Sequence, residues 1–245
     1  MPGVTEPPRL PPGLRIYAIG DIHGRLDLLR RLIGLIQADD AARPVVQRSV
    51  LIYLGDYIDR GPESRGVIEF LIGGPPSGFD AVHLKGNHED AMLRFLDDLE
   101  IGMSWLAFGA VATLSSYGAK LPGAMPALER LRRVQTELRR ILPVSHRDFI
   151  RRMPLRLVLG DYLFVHAGVR PGVALEHQDE QDLMWIRDEF LYSSANFGKV
   201  VVHGHTISER PEIRANRIGI DTGAYATGHL TCLMLDGAQR QLLTT

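Results

Sequence analysis

The 245-residue sequence predicts an α/β fold. Short apolar runs rich in β-formers alternate with stretches of helical periodicity, which implies parallel strands joined by crossover helices. Two of these runs, Leu14–Ile19 and Val50–Leu54, stop at Gly-Asp, and a third, Ala81–Leu84, stops at Lys85-Gly86. Apolar residues make up 45% and charged residues 23%, which is ordinary globular usage and excludes a disordered, collagenous or coiled-coil chain.

Residues 1–13 hold five prolines and are expected to form a flexible Pro-rich tail, leaving 14–245 as a single domain. Helical spacing follows each strand: Leu26, Leu29, Ile33 and Ile36 first, then Val67 to Ile72, then Met92 to Leu96. From about 97 to 153 the alternation stops. Ile101–Tyr117 and Leu128–Leu142 read as helices separated by Pro122, Gly123 and Pro126, hence a helical insertion. Strand character returns at Leu155–Leu159 and Tyr162–His166, joined by Gly160-Asp161, the two-residue signal of a tight hairpin. A helix over Glu180–Tyr192, a strand at Val200–His203 and strand-like pieces at Arg217–Asp221, Leu230–Leu235 and Gln239–Leu243 complete the chain.

The formal net charge of −1 argues against general binding to nucleic acid or anionic membranes. With one cysteine, Cys232, neither an internal disulfide nor a thiolate metal knot can form, and Cys232 itself reads as a core residue. No run reaches the roughly 18 to 20 apolar residues that span a bilayer. The N-terminus lacks the basic-then-apolar pattern of a secretory signal, so a cytoplasmic location is expected.

Open α/β sheets bind ligands at the carboxyl ends of their strands. Those ends read GDIHG (20–24), GDYIDRG (55–61), KGNHE (85–89), HAG (166–168) and HGHT (203–206). Together they supply Asp21, His23, Asp56, Asn87, His166 and His205, an oxygen and imidazole set that suits divalent manganese, iron, zinc or cobalt. Each motif alone has an ordinary structural explanation: an N-cap Asp, a turn Asn, a satisfied His. Their recurrence at five strand ends makes coincidence improbable.

The order GDIHG, GDYIDRG, GNHE resembles the signature of the phosphoprotein phosphatase family of dinuclear metallophosphoesterases. The later runs ATLSSYG (112–118), FVHAGVRP (164–171), DLMWIRDEFL (182–191) and GIDTGAY (219–225) are similar to its short bacterial serine/threonine phosphatase branch. The resemblance covers most of residues 14–235 and implies a sandwich of two mixed β-sheets flanked by helices. It implies two divalent metals, manganese first among them, with Asp21 and His23 on the first, Asp56 bridging, and Asn87, His166 and His205 on the second. A hydroxide between the metals would attack phosphorus, His88 would protonate the leaving group and Asp59 would hold His88. Arg60 and Arg187 match phosphate-binding arginines. Ile207 follows Thr206 where distant metallophosphoesterases carry a further histidine, which favours this branch over nuclease-like relatives.

A phosphorylated protein is the substrate expected first, since Lys85 precedes GNHE and Glu89 stands where many relatives carry Asp. A small dinucleotide such as symmetrical diadenosine tetraphosphate is the alternative. A binding module without activity is disfavoured because all six ligand positions and His88 are present. No obligate regulatory subunit is expected. His203 reads as structural or as support to the ligands, His83, His146, His177 and His229 as structural or surface groups, and Trp105 and Trp185 as packing anchors. Residues 120–152 carry nine basic and three acidic side chains, either a solvated helical face or a basic lid that attracts acidic substrates.

Overall fold

The structure, a computed structural model, describes residues 6–245 apart from 121 and 124. Ten strands form two five-stranded mixed sheets among the described residues, as the resemblance implies. The first sheet contains β1 (Leu14–Ile19), β2 (Arg48–Tyr53), β3 (Phe79–His83), β9 (Thr231–Asp236) and β10 (Gln239–Thr244), in the order β10-β9-β1-β2-β3. The second contains β4 (Arg156–Leu159), β5 (Tyr162–Val165), β6 (Val200–His203), β7 (Glu212–Ile213) and β8 (Arg217–Gly219), in the order β4-β5-β6-β8-β7. Strands β1, β2 and β3 run parallel, as do β5, β6 and β8, so two sets of carboxyl ends are available for a site.

Side-chain alternation builds the layers. Ile16, Ala18, Val50 and Ile52 of the first sheet meet Tyr162, Phe164, Val200, Val202 and Ile218 of the second in one core. The opposite faces, Tyr17, Ile19 and Leu51 on one side and Leu163, Val165 and Val201 on the other, are covered by helices. On the first sheet these include α1 (Leu26–Ala41), α2 (Ser64–Ile72) and α3 (Asn87–Asp97), whose periodic apolar residues were legible in the sequence. On the second they are α8 (Glu180–Trp185) and α9 (Asp188–Leu191).

The insertion is helical but more broken than expected. The segment 101–117 forms α4 (Ile101–Ala107) and α5 (Ala110–Ser116), interrupted at Gly109, whose φ of 106° no ordinary side chain favours. Then come α6 (Ala127–Ile141) and α7 (Val144–Arg151). Helix α6 packs through Leu131, Val134 and Leu138, and its Gln135 and Arg139 bond to the carbonyls of Phe95 and Leu96 at the far end of α3. At about 1.5 Å per residue, Leu96 lies some 13 Å along α3 from Asn87. The basic segment is therefore a solvated face on the flank, and Arg133 and Arg140 pair with Glu129 and Glu137. The helix expected over 180–192 is likewise split, at Ile186-Arg187, before the short α10 (Ala224–Thr227).

Of the Pro-rich segment over residues 1–13, residues 6–13 are described, and they are mostly exposed except for Leu10. Leu10 is buried in the inter-sheet core, its N–H bonds to Gly237 and its neighbour Arg9 accepts from Asp161. A single well-placed leucine outweighs the surrounding prolines, while residues 1–5 lie outside the described residues. No described helix is long and apolar enough to cross a membrane.

Candidate metal centre

The loops after β1, β2, β3, β5 and β6 meet at one edge of the sandwich. Asp56 lies at the centre, in two groups of mutually close ligand atoms: His23, Asp56 and His88, and Asp56, His166 and His205. Its Oδ2 is 3.5 Å from His23 Nε2 and 3.7 Å from His88 Nε2, while its Oδ1 is 3.4 Å from His166 Nε2. Backbone geometry is unusual here. Among the described residues, the non-glycine positions with positive φ are His23, Asp56, Asp59, Arg60 and His205, and all five are sequence-predicted site residues. Strain concentrated in this way is characteristic of sites whose surroundings fix them.

Second partners aim the imidazoles. His23 Nδ1 donates to the Ile58 carbonyl at 2.8 Å and His166 Nδ1 to that of Leu54 at 2.9 Å, so each Nε2 lone pair points at Asp56. Asn87 Oδ1 is 2.9 Å from His166 Nε2. Asp21 Oδ2 accepts the His205 N–H at 3.0 Å, which joins the two sheets across the site. Gly86 and Gly204 have the Asp56 and Asp21 carboxylates where a Cβ would otherwise be, so glycine is required at both. Glu89 accepts from the N–H groups of Asp56, Tyr57, Ile58 and Gly86 at 2.8–3.2 Å and holds the β2 and β3 loops together.

The electrostatics suit cations. Burial opposes the Asp56 charge, but the imidazoles of His166, His88, His23 and His205 outweigh it and hold its pKa below the usual carboxylate range. Burial lowers His23 to about 3 and His205 to about 2, leaving neutral rings with free lone pairs. For Asp21, burial and the neighbouring charges of Asp221 and Asp56 push the pKa well up. Buried Asp21 Oδ1 and His205 Nε2 have no hydrogen-bond partner. Neutral imidazoles, buried carboxylates and orphaned donor atoms around Asp56 fit divalent metals, which would relieve the repulsion and fill the free lone pairs.

His88 is distinguished from its neighbours by a fully buried carboxylate: its Nδ1 is 2.6 Å from Asp59 Oδ2. Burial alone would discharge it, but Asp56 and the Asp59 hydrogen bond raise its pKa above the ordinary value. Asp59 is itself clamped by Trp105 Nε1 at 2.9 Å and Thr113 Oγ1 at 2.5 Å, both from the insertion. Neither was predicted to belong to the site; Trp105 reads from sequence as packing alone. Arg60 Nη2 is 3.4 Å from His88 Nε2, and its guanidinium lies 4.8 Å from the Tyr225 ring centroid. Arg187 reaches the His205 carbonyl at 3.4 Å and Thr206 Oγ1 at 3.2 Å. Asp221, also unpredicted, is raised to about 6 by burial and by Asp56, against its bond from Gly223. It follows β8 as Asp21 follows β1, so the strand-end rule could have found it.

Two stacked mixed sheets with buried His/Asp clusters at their strand ends are the frame of a metal-dependent phosphoesterase. The chain belongs to the calcineurin-like phosphoesterase family, whose pattern matches residues 14–230. It is 28% identical over 224 residues to the serine/threonine-protein phosphatase 2 of Escherichia coli, covering 88% of this chain and 90% of that protein. It is 31% identical over 159 residues to the symmetrical bis(5'-nucleosyl)-tetraphosphatase of Methylococcus capsulatus, covering 65% of this chain but 45% of the relative's length. Among solved structures, a putative diadenosine tetraphosphatase shares the fold with a TM-score of 0.63 at 18% identity, covering 100% of this chain and 96% of the other.

Proposed function

We propose that the chain hydrolyses phosphomonoesters, with phosphoserine and phosphothreonine of proteins as its substrates. The observation that carries the reading is the Asp59–His88 pair at 2.6 Å beside the Asp56-centred cluster. Two divalent metals, bound by Asp21, His23, Asp56, Asn87, His166 and His205, would supply Lewis-acid polarisation of the phosphoryl oxygens and an activated water. Arg60 and Arg187 flank the cluster and would hold the equatorial oxygens as charge spreads over them. His88, kept charged by Asp56 and Asp59, donates its Nε2 proton to the departing serine or threonine oxygen. Asp59 fixes the imidazole with Nδ1 turned inward, leaving Nε2 towards the cluster and Arg60. Manganese is the metal we favour, and a cytoplasmic enzyme acting without a regulatory subunit is the setting.

Lys85 and Glu89 around Asn87-His88 support the protein substrate, and the likeness to the Escherichia coli protein phosphatase agrees with it. The dinucleotide alternative draws on the tetraphosphatase likenesses, which extend over 45% of the Methylococcus capsulatus protein and over 88% of the asymmetrical bis(5'-nucleosyl)-tetraphosphatase PrpE of Anoxybacillus flavithermus, the latter at 26% identity over 240 residues. Hydrolysis of a phosphothreonine peptide and of diadenosine tetraphosphate, measured side by side with manganese, separates them. Faster peptide turnover that collapses in Asp56→Asn and His88→Asn supports the proposal; a strong dinucleotide preference overturns its substrate.

A further inference from the structure

Among the described residues, Arg60 forms no ion pair and stands beside a second cation. Its Nε lies 3.5 Å from the Phe108 carbonyl oxygen and its Nη2 3.4 Å from His88 Nε2. When His88 is charged, as in the reaction proposed above, the two positive groups repel each other. The insertion fixes the stem of Arg60. Its N–H donates to the Gly109 carbonyl at 3.1 Å, and a Cβ at Gly109 would come within 2.9 Å of Arg60 Cγ. The guanidinium still needs a hold of its own, because a long side chain loses much rotamer freedom when it is kept in one place.

The Tyr225 ring faces that guanidinium, with its centroid 4.8 Å away. An aromatic face attracts a cation through its quadrupole and brings no negative charge with it. The distinction matters at this position, since a carboxylate there would pair with Arg60 and compete with an incoming phosphoryl group. The ring is itself well seated. It meets His23 edge to face, with centroids 5.5 Å apart and planes at 85°. Its short helix α10 is tied to the loop after β1, because Arg25 Nη1 donates to the Ala224 carbonyl at 3.0 Å. Behind it, Thr227 Oγ1 donates to the Thr222 carbonyl at 2.9 Å. The run GIDTGAY thus delivers a tyrosine to the site, a residue to which sequence reasoning assigns no role.

We propose that Tyr225 is a positioning residue: its aromatic face holds the Arg60 guanidinium in place for a phosphoryl oxygen. The inference rests on the reading of Arg60 as a phosphate-binding group, and Tyr225 acts through that group alone. Attraction between a cation and an aromatic face partly shielded from water corresponds to about fivefold to thirtyfold in an equilibrium constant. Removing the face should therefore weaken phosphate by that factor.

Calorimetric titration of the manganese-loaded chain with inorganic phosphate, in the absence of substrate, tests this. The proteins are the wild type, Tyr225→Leu, Tyr225→Phe, Arg60→Ala and the double variant of Tyr225→Leu with Arg60→Ala. Tyr225→Leu should bind phosphate about fivefold to thirtyfold more weakly, while Tyr225→Phe, which keeps the face, should stay within about twofold of the wild type. Arg60→Ala should lose at least as much as Tyr225→Leu. Adding Tyr225→Leu to it should cost nothing further, because a residue that acts through its partner has no effect once the partner is gone. Manganese content should be the same in every protein. Additive losses overturn the proposal, as do equal losses in Tyr225→Leu and Tyr225→Phe. Loss of manganese from Tyr225→Leu also overturns it, since the ring would then serve His23 instead. Unchanged affinity in Tyr225→Leu beside a loss in Arg60→Ala overturns this inference alone, whereas unchanged affinity in Arg60→Ala overturns the reading of Arg60 with it.

Discussion

Replacing Asp59 by Asn removes a charge from the site while conserving its shape. Asp59 Oδ2 accepts from His88 Nδ1 at 2.6 Å and Trp105 Nε1 at 2.9 Å, and Oδ1 accepts from Thr113 Oγ1 at 2.5 Å. An amide with its oxygen towards His88 and Trp105 keeps the first two bonds, and the Thr113 hydroxyl can rotate to accept from the amide nitrogen. The fold should therefore survive, and the loss is the charge that helps keep His88 protonated against burial. General acid catalysis contributes about 10²–10⁴-fold, or about 3–5 kcal/mol of barrier. The full loss should appear in kcat for a phosphothreonine peptide, whose alkoxide needs a proton to leave. For p-nitrophenyl phosphate, whose phenolate leaves unaided, the loss should stay below about tenfold. Both rates are measured at saturating manganese, with thermal unfolding as a control. Equal losses on the two substrates would refute proton donation by His88 and assign Asp59 to the integrity of the metal centre.

Peptide turnover by the wild type should fall as pH rises through the raised pKa of His88, since the acid loses its proton there, and in Asp59→Asn the fall should come at lower pH; pH–rate profiles of both proteins check this. Trp105→Phe deletes one donor to a buried carboxylate and should cost about 1.5–3 kcal/mol in urea unfolding, with peptide turnover reduced less than in Asp59→Asn. Leu10→Ala should destabilise by about 2–5 kcal/mol if the segment is seated in the inter-sheet core, whereas a dispensable tail would leave the unfolding midpoint unchanged.

The parallel strands and the site residues at their ends were legible because both follow from local rules. A buried parallel strand reads as a continuous apolar run, and the turn after it must be short, polar and glycine-punctuated. Pairing between distant segments was not legible. Nothing local indicates that β9 lies antiparallel against β1, or that β8 separates β6 from β7. The break at Gly109 was missed because one glycine hardly interrupts helical periodicity, and its role is tertiary: its carbonyl accepts the Arg60 N–H. Trp105 and Thr113 sit on helices with no strand-end signal, so their grip on Asp59 depends on how the insertion folds back. Leu10 was masked by its prolines, which fix extended backbone but do not prevent burial.

The central claim is that one carboxylate, Asp56, serves two metal sites at once. Manganese content per chain after equilibrium dialysis, measured for the wild type and Asp56→Asn, tests it most directly. The account predicts two ions per wild-type chain and loss of both from the variant at the same free metal concentration. A wild type that hydrolyses phosphoester with one ion, or a variant that retains two, would contradict it.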